Sequence, residues 1–153
     1  MPVLELQVRR ALPADAARLA ELYRQLVQGD GIQVMPERIA EISRSSHTHL
    51  LVAERGGWVC GTALVCLCDD VMYGTQPFAL IENIVVDAGA RGQGIGSALL
   101  RHIESLCLSY DCSKVMLLSS AVREDAHRLF EREGFSGTAK RGFVKYRRNF
   151  RSR

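Results

Sequence analysis

The chain has 153 residues, 47% of them hydrophobic and 24% charged, with a formal net charge of +3. That suffices for a single domain spanning 1–153 with its own hydrophobic core, and the small net charge does not by itself imply nucleic acid. No apolar run reaches the ~18 residues needed to cross a bilayer, and MPVLELQVRRALPAD lacks the apolar block of a signal peptide, so a soluble, cytoplasmic protein with no membrane partner is expected.

LQVRRAL (6–12) reads as a first strand. PADAARLAELYRQLVQ (13–28) reads as an amphipathic helix, with Pro13 in its first turn and Leu19, Leu22, Tyr23 and Leu26 on one stripe. Gly29 and Gly31 end it, and PERIAEISRS (36–45) gives a short second helix. HLLVAERGGWVCGTALVCLC (49–68) reads as a hairpin about Gly56-Gly57. Its second strand is apolar at both parities, so both faces should be covered. FALIENIVVD (78–87) is a further strand, followed by a glycine-rich turn and a helix over 96–110. KVMLLSS (114–120) reads as a buried strand, and REDAHRLFEREGF (123–135) as a helix stopped by Gly134. RGFVKYRRNF (141–150) reads as a last strand, its basic residues alternating with Phe143 and Tyr146. That pattern fits a strand better than a nucleic-acid-binding arm, and nucleic acid is not expected as a partner. The order β-α-α-β-β-β-α-β-α-β predicts an α/β fold: a mixed, mostly antiparallel central sheet flanked by helices.

Five cysteines, Cys60, Cys66, Cys68, Cys107 and Cys112, form no CxxC pair. This argues against a disulfide framework and a structural zinc site. Cys60, Cys66 and Cys68 share parity on one strand and read as small buried hydrophobes. No metal is expected.

VVDAGARGQGIGSALLRHIE (85–104) places Gly92, Gly94 and Gly96 where a helix begins, with Arg91 in front. A helix start offers amides without intrahelical partners and a partial positive charge, and glycines let a ligand approach the backbone. The turn is therefore shaped to hold a phosphate, the alternative being a tight strand-to-helix turn with no ligand. No lysine follows Gly96, which excludes a Walker A loop, and Ser97 stands where a dinucleotide fingerprint needs its third glycine.

ARGQGIGSALL resembles the [RQ]-x-x-G-x-[GA] signature of the GCN5-related N-acetyltransferase superfamily, met by Arg91, Gly94 and Gly96. DAHRLFEREGF resembles its second signature, a helix ending in Gly134-Phe135. The resemblance implies a splayed sheet and acetyl-coenzyme A as cosubstrate. Carried over, the amides of Arg91, Gly92, Gln93, Gly94, Ile95, Gly96 and Ser97 would hold the pyrophosphate. The backbone of Ile84, Val85 and Val86 would pair with the pantetheine arm, and Arg123 would contact coenzyme A phosphates or face water. Many members dimerise, and the last strand would supply the edge of a homodimer.

Glu82 is the candidate general base, acting directly or through water: it interrupts an apolar run, where a carboxylate is costly unless used or paired, and its place resembles that of the family's base. Asn83, of opposite parity, is expected on the other face. The family's usual tyrosine acid is replaced by Phe130, a departure that leaves water, Tyr146 or Tyr110 as proton donors. Asp30, Asp69, Asp70 and Tyr73, in loops over the splay, would favour a cationic amine. The expected reaction is direct acetyl transfer to a primary amine of a small molecule. Acetylation of a protein lysine or N-terminus, or coenzyme A binding without catalysis, are the alternatives.

Overall fold

The computed structural model describes residues 2–152, in two compact units that divide between Leu117 and Leu118. In the first, β1 (Leu6–Arg10), β2 (Thr48–Arg55), β3 (Trp58–Cys68), β4 (Phe78–Val86) and β5 (Val115–Leu117) form one open sheet in that order. β1 to β4 are antiparallel neighbours, and β5 runs parallel to β4. The hairpin at Gly56-Gly57 is as the sequence implies.

Helices cover both faces. The predicted first helix begins as a 3₁₀ turn at Pro13–Asp15 and continues as α1 (Ala16–Leu26); α2 is Pro36–Ser43. Leu19, Leu22 and Ile39 from these elements pack on Leu50, Val52, Val59 and Val85 of the sheet. α3 (Ile95–Ser109) lies on the opposite face, burying Ile95, Leu99, Leu100 and Ile103. Its approach is set by Gly61: a Cβ there would stand 3.0 Å from Ile95 Cγ2 and 3.2 Å from Leu99 Cδ1. Only glycine lets the start of α3 sit this close to β3.

Two ionic arrangements tie β1 to its surroundings. Arg9 bridges Asp15 (2.8 Å) and Glu54 (2.6 Å). Burial opposes the charge on Asp15, yet Arg9 and the Leu12 N–H hold its carboxyl below the usual range. Arg10 donates to the carbonyls of Ser43 (3.2 Å) and Ser45 (3.2 Å) at the end of α2 and to Nδ1 of buried His49 (2.6 Å).

The second unit contains α4 (Glu124–Arg132). Gly134 follows it at φ +92°, the Phe135 N–H donates to the Phe130 carbonyl (2.9 Å), and the two rings meet edge to face at 6.2 Å. Phe130 is buried there, which accounts for an apolar ring at that position.

Three expectations need correction. The strand read over 114–120 pairs only at Val115–Leu117, and those residues are half-buried. The strand read over 141–150 does not form: the segment is exposed throughout and contains one turn, Arg147–Asn149. Alternation there would put Phe143 on the same side as Arg141, Lys145 and Arg147, so that side could not be buried. The edge expected for a dimer is accordingly not a strand. The three cysteines of β3 are not equivalent either, since Cys60 is buried while Cys66 and Cys68 are half-buried.

Candidate active site

The centre of β4 is irregular. Val85 pairs with Thr62 of β3, but Glu82 pairs with Leu64, so β4 holds one extra residue. Asn83 takes it up at φ +54°, the left-handed region that asparagine tolerates better than most residues. The bulge puts Glu82 and Val85 on one face although three positions separate them. That face is the one under α1 and α2, where Leu64 and Val85 pack. Asn83 lines a cavity on this same side, with Tyr23 of α1; the expectation that it faces away fails because the bulge breaks the period of two. Glu82 is exposed and has no ion pair or side-chain hydrogen bond among the described residues. Burial pushes the Cys66 thiol up, and the nearby Cys68 and Glu82 add to this.

Pairing between β4 and β5 ends at Ile81 and Leu117. From Glu82 to Val86, β4 therefore has no strand partner on that side among the described residues. Ile84, Val85 and Val86 lie in this stretch, with backbone groups that an extended amide-bearing chain could pair with.

The strand leads into the glycine turn, which α1 anchors. Asp87 accepts from Arg18 Nη2 (3.0 Å), Gln25 Nε2 (2.8 Å) and the Gly89 N–H (3.1 Å), while Gln25 Oε1 accepts from the Ala88 N–H (2.8 Å). The Gln25 bond first, and Arg18 with it, hold the Asp87 carboxyl below the usual range against the effect of burial. After the short turn Ala88–Ala90, Gly92 (φ +75°) and Gly94 (φ +80°) occupy the left-handed region, with open space where a Cβ would point. Residues 91–94 are exposed, Ile95 and Gly96 are buried, and Ser97 is half-buried. The Ala98 N–H donates to the Gly94 carbonyl (3.0 Å), so the amides of Ile95, Gly96 and Ser97 precede the first intrahelical donor.

Two arginines flank the turn. Arg91 Nε donates to the Val86 carbonyl (3.3 Å), and Arg55 Nη1 donates to Gln93 Oε1 (2.7 Å). Arg55 is not legible as a site residue in the sequence, because it stands 38 positions before Gln93 and only the sheet joins them.

The remaining candidates are dispersed. Asp30 and Tyr73 are exposed loop residues that line neither of the two cavities beside α1, and the Asp70 carboxylate caps its own loop at the Val71 N–H (2.7 Å). Tyr110 ends α3, opposite the glycine turn, with its ring 5.6 Å from His49. In the second unit, Arg123 precedes α4 and donates its N–H to the Ser120 carbonyl (3.0 Å), and Tyr146 is exposed beneath the Arg148 guanidinium, 4.6 Å from its ring. No group of three or more His, Cys, Asp or Glu side chains suited to a metal occurs among the described residues, and no helix there is long and apolar enough to cross a membrane.

Comparison with known proteins bears on this geometry. The profile of the acetyltransferase (GNAT) family matches residues 16–135. A mouse protein, "Probable N-acetyltransferase family 8 member 5", is 33% identical over 111 residues, 71% of this chain and 48% of that protein, so the chain spans about half of that relative's length. "Glucosamine 6-phosphate N-acetyltransferase" of Trypanosoma brucei brucei is 27% identical over 136 residues, 87% of this chain and 90% of that one. A solved structure, "Putative acetyltransferase from Agrobacterium tumefaciens str. C58", superposes with a TM-score of 0.82 at 29% identity, covering 92% of this chain and 99% of that one.

Proposed function

Since the chain belongs to the acetyltransferase (GNAT) family, we propose that it is an N-acetyltransferase that transfers an acetyl group from acetyl-coenzyme A directly to a primary amine of a small molecule. The observation that carries this reading is the glycine turn at 91–97, exposed over 91–94, with two left-handed glycines ahead of α3 and Arg55 and Arg91 beside it. Free amides, the helix dipole and two permanent cations together suit a diphosphate. Residues 84–86 then offer backbone to the pantetheine arm, which directs the thioester toward the bulge. We take 1–153 as one acetyltransferase domain, because the family match runs through the boundary between the two units.

In this reading Glu82, exposed on the α1/α2 face, takes a proton from the ammonium, directly or through water. The neutral nitrogen attacks the thioester carbonyl, and a main-chain N–H on the unpaired side of β4, within 84–86, meets the oxyanion. The C–S bond breaks as the tetrahedral adduct collapses, the new amide loses its second proton, and the thiolate takes one from solvent. A free thiol with a pKa near ~8.5 leaves well enough without a dedicated acid, so Phe130 is tolerated, and neither Tyr146 nor Arg123 needs a step. Direct transfer is favoured over an acyl-cysteine because burial pushes the thiols of Cys60, Cys66 and Cys112 up and that of Cys107 to about 12.

Glu82→Gln tests the assignment. It should lower kcat by ~100-fold or more, the scale of general base catalysis, with the KM for acetyl-coenzyme A little changed. Wild-type turnover in that variant would remove Glu82 from the role.

A further inference from the structure

The bulge adjoins two cavities on the α1/α2 face. The first, about 240 Å³, is walled by Leu26, Val27, Ile32 and Asn83, together with residues it shares with the second. The second, about 200 Å³, has Leu50 and Leu64 in its wall. Tyr23, Gln33 and Val34 line both, so the two are neighbours. Glu82 lines neither cavity, but it pairs with Leu64 in the wall of the second and precedes Asn83 in the wall of the first, so it adjoins both.

The walls are almost free of charge. Arg38 is the one charged residue lining either cavity among the described residues, and its guanidinium donates to Glu41 at 2.6 Å. Gln33, Asn83 and the Tyr23 phenol are the other polar groups, and burial pushes that phenol up while its bond with Thr62 pulls the other way. A phosphate or a second ammonium pressed against these walls would lose hydration without a counter-charge. An apolar body would gain in proportion to the area it covers.

We propose that the acceptor is a primary amine on an apolar body, aromatic or branched aliphatic, seated under α1 with its nitrogen toward Glu82. Tyr23 and Val34, common to both cavities, set which bodies fit. This rests on the acetyltransferase reading above and narrows it to a substrate class.

The test measures coenzyme A release with 2-phenylethylamine and 3-methylbutylamine against glucosamine 6-phosphate and kanamycin. The apolar amines should show kcat/KM at least ~10-fold higher, the range that a pocket wall can discriminate. Val27→Glu adds a charge to the wall at a half-exposed position that can fold with it. It should cut kcat/KM for 2-phenylethylamine by ~10-fold while leaving the KM for acetyl-coenzyme A unchanged. Faster turnover of the phosphorylated or polycationic acceptors, or of lysine peptides, overturns this assignment and leaves N-acetyl transfer standing. Binding of acetyl-coenzyme A with no acetylation of any acceptor overturns both.

Discussion

The guanidinium of Arg18 reaches the carboxylate of Asp87 at 3.0 Å, joining the first turn of α1 to the residue that follows β4. The same guanidinium lies 4.3 Å over the Trp58 ring and donates to the Val59 carbonyl (2.8 Å). With Gln25 held to both Asp87 and Ala88, the helix that walls the acceptor cavity also fixes the entry to the glycine turn. Asp87→Ala should therefore raise the KM for acetyl-coenzyme A by ~10-fold, since positioned contacts of this kind govern ligand geometry, while kcat at saturation changes little. Steady-state kinetics check this; an unchanged KM would show that the turn holds its shape without α1.

Gly94 heads α3 at φ +80°, with nothing within 4 Å of the point where a Cβ would stand. The cost of a side chain there is torsional, not steric. Gly94→Ala should lower stability by ~1–2 kcal/mol, the penalty of a left-handed L-residue, and weaken acetyl-coenzyme A binding as well. Denaturant unfolding and a binding titration on the same variant separate the two effects.

Gly61 is the opposite case, because a Cβ would press on Ile95 and Leu99. Gly61→Val should destabilise by ~1–3 kcal/mol through overpacking and displace the start of α3. A lowered Tm accompanied by a higher KM for acetyl-coenzyme A is the expected pair. A variant as stable as the parent would show that α3 can move off the sheet freely.

His49 supplies a pH signature. Burial, and then the charge of Arg10, lowers its pKa; Nδ1 accepts from Arg10 and Nε2 donates to the Ser46 carbonyl (3.2 Å), so the ring is neutral. His47 and His102 add further repulsion when charged, and the Tyr110 ring closes another side. The unfolded chain binds the proton more readily, at its ordinary pKa of ~6.5. Stability should hold above that value and fall as pH drops below it, before the loss from Asp15 sets in under pH ~4. Unfolding midpoints between pH 7.5 and 5 check this. A flat profile over that range, or one equally steep in His49→Gln, would contradict it.

Much of this site is legible in the sequence because its parts are local. Glycines alternating ahead of an amphipathic helix declare a left-handed helix start, whereas the cost of a carboxylate inferred from FALIENIVV does not arise, because Glu82 is exposed. The bulge is not legible, since an extra residue in β4 appears only in its register with β3, and it overturns the parity argument for Asn83. Arg55, Arg18 and Gln25 escape sequence reasoning for the same reason: nothing near them in the chain marks them, and their partners lie across the sheet. At 141–150, alternation of basic and aromatic residues reads as a strand, but a pattern of two cannot make a strand when neither charge placement nor a partner gives it a side to bury.

At the centre of the mechanism, main-chain amides at 91–97 hold a diphosphate. Equilibrium titration with coenzyme A and with pantetheine, which lacks the diphosphate, tests this directly. Coenzyme A should bind with micromolar affinity, ~100-fold or more tighter than pantetheine, and lose affinity with added salt. Equal affinity for the two, or no binding of coenzyme A at all, would contradict it.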